Sequence, residues 1–196
     1  LETGEAMEVY KKAASMEHVK IAGLHCHIGS QIFERAPFEE AARVMMNFAA
    51  DLYEETGVKI EELNLGGGYG IKYVPEDRPV DYDKYIQTIS GIVKSAAKER
   101  NLPLPKILME PGRSIVGPAG ITLYTVGGKK EIPGVRTYVS VDGGMGDNPR
   151  YIMYQSAYDA VVANKANEEK TQTVTIAGKC CESGDLLIEG IRLPKI

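Results

Sequence analysis

Cysteine is scarce in this chain, and so is any excess of positive charge. The three cysteines, Cys26, Cys180 and Cys181, offer neither zinc-site spacing nor a disulfide framework, so a reducing cytosol is the expected setting. Lysine and arginine number 23 against 27 acidic residues. The net charge of −4 leaves no basic field for nucleic acid. Long apolar runs are missing too: none approaches the ~18–20 residues that span a bilayer. The N-terminus is acidic and amphipathic rather than basic and then apolar, so no secretory signal is expected. No internal repeat or low-complexity tract is present. What remains, 43% hydrophobic and 26% charged, is the balance of a soluble globular protein. Its 196 residues suffice for one large domain or two small ones. The first residue is Leu1, inside a helix-like stretch, and Ile196 follows a strand-like run. The chain therefore reads as a segment excised from a longer protein.

The first 114 residues alternate strand and helix signals. Glu5 to Ala14 suits a helix, with Met7, Val9, Tyr10 and Ala14 as candidate buried positions. Lys20 to Leu24, Ile60 to Leu65 and Lys106 to Met109 read as strands. Between the first two, Phe38, Ala41, Ala42, Met45, Phe48, Ala49 and Leu52 recur at helical spacing, with Pro37 for a first turn and Gly57 for a stop. Asp81 is a candidate N-cap for a helix with Tyr85, Ile86, Ile89, Ile92, Val93 and Ala96 inside. This βαβαβ order implies parallel strands with right-handed crossovers. Three strands cannot close a barrel, so exposed sheet edges are expected. From residue 115 the texture changes. Ile121 to Val126, Val135 to Val141, Gln172 to Ile176 and Leu186 to Ile191 read as strands of a mainly antiparallel β domain. Gly127-Gly128 and Pro133-Gly134 read as turns, and Ser156 to Ala166 as the only helical piece.

Polar clusters follow several of these strands. Gly66, Gly67 and Gly68 expose backbone N–H groups without Cβ interference, which suits a phosphate or an ordinary tight turn. His25 and His27 point the same way on a strand, as satisfied near-core histidines, a metal pair or a ring stacked on a flat cofactor. No third metal ligand stands at suitable spacing, and Ser30 just beyond could donate to a phosphate. In Glu110-Pro111-Gly112-Arg113, the acid and the base form either a structural ion pair or two ligand groups. As ligand groups, the carboxylate would keep a heteroaromatic nitrogen protonated and the guanidinium would hold an anion. Arg150 and Tyr154 share a face if their stretch is helical, and otherwise mark a solvated turn. Cys181-Glu182-Ser183-Gly184-Asp185 places a thiol beside acids, which suits a proton donor or simply an acidic turn, while Cys180 reads as a packing residue.

The order of these motifs is more specific than any one of them. His25-Cys26-His27-Ile28-Gly29-Ser30-Gln31, Gly66 to Gly70, Glu110 to Ser114, Asp142 to Arg150 and Cys181 to Asp185 together resemble the diaminopimelate decarboxylases. These belong to the alanine-racemase-like group of pyridoxal-phosphate enzymes. The resemblance covers essentially the whole chain. It implies an α/β fold: the C-terminal part of a pyridoxal-phosphate-binding (β/α)8 barrel over residues 1–114, then part of a mainly antiparallel β domain over residues 115–196. It further implies that His27 stacks on the pyridine ring and that Glu110 pairs with its nitrogen. Ser30, Gly66, Gly67, Gly68, Pro111, Gly112 and Arg113 would complete the cofactor site. Arg113, Arg150 and Tyr154 would bind substrate carboxylate. Cys181 would act as proton donor and Glu182 would recognise the distal amino group, both in the partner subunit of a homodimer with shared active sites. The implied reaction turns meso-2,6-diaminopimelate into L-lysine, with no metal.

Against the family's pattern, the Schiff-base lysine of an early barrel strand is absent from this chain, and so is a site tyrosine that would follow Ile196. Tyr151-Ile152 stands where a Pro-containing run is more usual, yet Tyr154 keeps its spacing. The isolated chain is therefore expected to show no turnover. The alternatives are a sister decarboxylase for ornithine, arginine or carboxynorspermidine, and a non-catalytic relative of the fold. Arg150 and Tyr154 with the cysteine motif favour a substrate with a second carboxylate. Retention of Glu110, Arg113 and Cys181 argues against loss of catalysis.

Overall fold

In the computed structural model, which describes residues 3–196, the alternating first part forms a three-stranded parallel sheet backed by helices. The elements are α1 (Glu5–Ala14), β1 (Gly23–His25), α2 (Ala36–Thr56), β2 (Glu62–Asn64), α3 (Tyr82–Glu99), β3 (Lys106–Leu108) and the single turn α4 (Arg113–Val116). The order β1-β2-β3, with Leu24 opposite Leu63 and Leu63 opposite Ile107, is the expected parallel arrangement. Each strand is shorter than its apolar run. A Cβ on Gly23 would lie 2.1 Å from the Glu62 carbonyl oxygen, so that glycine is required by close strand approach.

The long helices form for the reasons their sequences give. Pro37 opens α2, and Gly57, at φ 72°, closes it by donating to Tyr53 O. The Asp81 side chain accepts from Lys84 N at 3.3 Å and caps α3. Phe38, Ala42, Met46 and Leu52 of α2 meet Tyr85, Ile89 and Val93 of α3 over Leu24, Leu63 and Leu65. Three expected core positions face outward instead: Val9 is 64% exposed, Ile86 48%, and Ala14 is exposed as well. On α3 the buried stripe runs Tyr85, Ile89, Val93, Ala97, a step of four that leaves Ile86 on its flank.

The chain divides into two compact units, one comprising the residues up to Ile71 with Arg78–Ala119, the other Lys72–Asp77 with Gly120–Ile196. The second unit holds β4 (Val126–Ile132), β5 (Arg136–Val141), α5 (Arg150–Tyr154), β6 (Gln172–Ala177) and β7 (Leu186–Leu193). The pairs β4·β5 and β6·β7 are antiparallel and β5·β6 is parallel, so the sheet is mixed. Its core is Val139, Val141, Val174, Ile176, Leu187 and Leu193.

Three expectations for this unit are corrected. The first strand is Val126–Ile132, not 121–126: Ile121 is 86% exposed and Leu123 74%. β-Branched composition there is not matched by a partner strand, whereas the backbone beyond Val126 pairs with β5. Gly127-Gly128 is accordingly a bulge inside the strand rather than a turn; the hairpin turn is at Pro133-Gly134, where Gly134 has φ 73°. The helix lies at Arg150–Tyr154 and stops at Gln155 in the left-handed region, while the 156–166 stretch holds only a single 3₁₀ turn at Ala163–Lys165.

Candidate functional site

The C-terminal ends of β1, β2 and β3 gather the polar residues of the first unit. Tyr69, just after the triple glycine, is buried: it stacks on Phe38 at 5.1 Å between centroids and meets Tyr85 edge-on at 5.0 Å. That anchor draws the glycine loop against the loop after β1. Ile32 N donates to Gly68 O, Gly70 N donates to Ile32 O, and the Gln31 amide bonds Ile71 at both its N–H and its carbonyl.

The glycines are needed because the loops touch. A Cβ on Gly67 would lie 2.1 Å from Glu110 O, and one on Gly68 would lie 1.9 Å from Gly29 O. A Cβ on Gly66 would meet Cys26 O at 2.6 Å and the His27 ring at 2.9 Å. The His27 ring therefore rests on bare glycine backbone, and its remaining surface is exposed. Gly67 N donates to His27 Nδ1 at 3.3 Å, which orients the ring. The expectation that all three glycine amides stand free changes here. Gly66 N is taken by Asn64 Oδ1 at 2.9 Å and Gly67 N by His27, so these two glycines serve close approach.

Glu110 follows β3 and is exposed. Its Oε1 accepts from Asn64 Nδ2 at 2.8 Å and lies 3.6 Å from His25 Nε2. The structure thus separates the two histidines: His25 faces Glu110, while His27 lies on the glycines. Ser30 is exposed on the loop after β1; Pro111 and Gly112 are exposed before α4, whose first residue is the half-buried Arg113. Sequence reasoning missed Asn64, which bonds both Glu110 and Gly66; its signal was an amide residue between the last apolar strand position and the glycines. Lys20 and Lys106 pair with Glu61 and Glu62 at the opposite, entry end of the strands. An exposed flat ring, a carboxylate fixed by an amide, and side-chain-free backbone suit a heteroaromatic anion better than a metal. Among the described residues no group of three His, Cys, Asp or Glu could hold a metal ion.

The second unit has its own polar cluster. Arg150 and Tyr154 do share a face of α5: the guanidinium lies 5.7 Å from the Tyr154 ring centroid and 6.0 Å from that of Tyr73. Arg150 Nη2 donates to Ser156 Oγ at 3.4 Å, and its buried Nε has no hydrogen-bond partner, a spare donor suited to an anion. A Cβ on Gly184 would lie 2.6 Å from Ile152 Cδ1, so the cysteine loop packs directly on α5. Cys181, Glu182 and Ser183 are exposed on that loop, with Glu182 Oε1 accepting from Ser183 Oγ and Gly184 N. Cys180 is exposed too, correcting its reading as a packing residue. Partial desolvation, then the Asp185 carboxylate, push its thiol pKa up. Asp185 itself turns inward. It is 2% exposed and accepts from Met145 N at 2.6 Å and Cys180 N at 2.7 Å.

The model of the family "Pyridoxal-dependent decarboxylase, pyridoxal binding domain" matches residues 1–117. A diaminopimelate decarboxylase of Bacillus subtilis is 46% identical over 196 residues, which is 100% of this chain and 45% of the relative. One from a Synechocystis species is 48% identical, over 95% of this chain and 39% of its own length. The crystal structure of diaminopimelate decarboxylase from M. jannaschii in co-complex with L-lysine aligns with a TM-score of 0.85 at 36% identity, covering 100% of this chain and 44% of that one. The chain thus spans less than half the length of these relatives.

Proposed function

The chain belongs to the pyridoxal-dependent decarboxylase family, and we propose that it supplies most of one wall of the active site of a diaminopimelate decarboxylase. The reaction removes the carboxyl group at the D-centre of meso-2,6-diaminopimelate, giving L-lysine and CO₂. The carrying observation is the exposed Glu110 carboxylate, fixed by Asn64 beside a His27 ring that lies on bare glycine backbone. The choice of substrate is supported by the names of the relatives and by the L-lysine complex of one of them.

What pyridoxal phosphate supplies when bound is an electron sink for the charge left as CO₂ departs. Glu110 would keep the pyridine nitrogen protonated, because a carboxylate favours the charged ring. His27 offers its exposed face to that ring. Ser30, Gly68 and the backbone N–H groups of Gly112 and Arg113 are assigned to the phosphate, with Pro111 shaping that turn; Gly66 and Gly67 let His27 and Glu110 approach. Arg113, Arg150 and Tyr154 hold substrate carboxylate, and the unfilled Nε of Arg150 supports that role. Cys181 would hold the proton delivered to the carbon that loses CO₂, and Glu182 would bind the distal ammonium, both serving the partner's site in a homodimer. The covalent lysine comes from outside this chain. The three free cysteines favour a reducing cytosol, and no helix among the described residues is long and apolar enough to cross a membrane.

The test is Glu110→Gln in the full-length protein. It should retain pyridoxal phosphate and lose about 10²-fold or more in kcat, in line with the loss of one preorganised electrostatic group. An unchanged kcat would remove Glu110 from the mechanism. Steady release of lysine and CO₂ by the isolated chain would place the covalent lysine within it and refute the assignment.

A further inference from the structure

Two chemistry-bearing segments of the second unit meet at one buried carboxylate. Asp185 Oδ1 accepts from Met145 N at 2.6 Å and Oδ2 accepts from Cys180 N at 2.7 Å. Met145 belongs to the glycine loop that runs into Arg150 and Tyr154; Cys180 precedes Cys181 and Glu182. Neither amide lies in a strand. The same two segments are joined again by Lys179 N donating to Gly143 O at 3.0 Å, and Asp185 N closes its own loop onto Glu182 O at 3.0 Å.

The carboxylate fits because glycines make room on both sides. A Cβ on Gly144 would lie 2.7 Å from Oδ1 and one on Gly178 would lie 2.2 Å from Oδ2. An acceptor-only group is required, since both partners are N–H donors. An asparagine would present an NH₂ to one of them, leaving two donors face to face in a buried place.

We propose that Asp185 is a positioning residue that ties the loop of Cys181 and Glu182 to the loop leading into Arg150 and Tyr154, and so sets the proton donor and the carboxylate anchor together. The proposal rests on the function assigned above. It differs from a purely stabilising role in what it requires: both loops must loosen together, and turnover must suffer while the fold and the cofactor site stay intact.

Two measurements test it. In the unsubstituted protein, the Met145 and Cys180 amides should exchange with deuterium as slowly as strand amides of β6. Free-loop exchange at either one overturns the tie, whatever the substrate proves to be. In full-length Asp185→Asn, protection at both amides should be lost, and kcat on meso-diaminopimelate should fall about 10²-fold, the scale of a small misplacement of reacting groups. Affinity for pyridoxal phosphate should stay the same. Loss of protection with unchanged kcat and KM overturns the positioning role. Should Asp185→Asn fail to fold, Asp185→Glu keeps both acceptors on a longer arm. A folded variant with depressed kcat then supports the proposal, and full activity overturns it. If the unsubstituted full-length protein does not act on meso-diaminopimelate, the functional reading falls, while the exchange data still decide the tie.

Discussion

Replacing Asn64 by alanine removes two hydrogen bonds of unequal worth. Gly66 N is buried and donates to Asn64 Oδ1; once that acceptor is gone the amide has no replacement, at a cost of about 1–3 kcal/mol. The bond from Asn64 Nδ2 to Glu110 is at the surface, where water can substitute, and adds at most about 1 kcal/mol. Asn64→Asp separates these terms. It keeps an acceptor for Gly66 but sets a second carboxylate beside Glu110, a repulsion on the order of 1 kcal/mol at such range in water. Urea unfolding followed by far-UV circular dichroism should therefore rank the variants parent, Asp, Ala, with unchanged m. Added salt should recover stability in Asn64→Asp and not in Asn64→Ala, since only the former loss is charge repulsion. An Asn64→Ala protein within about 0.3 kcal/mol of the parent would refute the reasoning. So would a salt-dependent loss in that variant.

Other expectations follow from packing and titration. Leu63 has no exposed surface between β1 and β3, so Leu63→Ala should cost about 2–5 kcal/mol in the same urea experiment. The Tyr151 hydroxyl and then Arg136 hold the Glu189 carboxyl below its usual range. Its contribution is therefore present above the ordinary glutamate pKa and lost as pH falls through the depressed value. A Glu189→Gln protein should be less stable at neutral pH and show a flatter acid limb in melting temperature against pH. At the alkaline end, burial first and then Tyr69 push the Tyr85 phenol far up, and burial with Asp147 pushes Tyr124 up to about 12. Tyrosine absorbance should thus show these two phenols still un-ionised at a pH where a phenol of ordinary pKa has ionised. Stability should decline as pH rises above 10 toward their folded values.

Much of the first unit was legible because its signals are local. The apolar step of three and four from Phe38 to Leu52, Pro37, Gly57 and the Asp81 cap each act within a turn or two of chain, and the helices lie where those residues put them. Parallel pairing followed from the strand-helix alternation. The site was partly legible: Glu110, His27 and the glycines do converge at the strand ends. Asn64 was missed because its meaning depends on Glu110, 46 residues away. Asp185 was read as an acid beside a thiol, yet its side chain turns into the fold toward Met145, 40 residues earlier. The second unit was harder because short strands take their limits from partners. Ile121 and Leu123 have strand-like composition and no partner strand, while Gly127 and Gly128 have turn-like composition and lie in a ladder. A five-residue helix at Arg150–Tyr154 leaves no full amphipathic repeat to detect.

The most direct measurement is product analysis of the full-length protein, supplied with pyridoxal phosphate and offered meso-diaminopimelate, ornithine, arginine and carboxynorspermidine separately. L-Lysine and CO₂ are expected in equal amounts from meso-diaminopimelate, with kcat/KM well above that for the other three. Faster turnover of ornithine, arginine or carboxynorspermidine, or no CO₂ from any of the four, would contradict the assignment of this chain to a diaminopimelate decarboxylase.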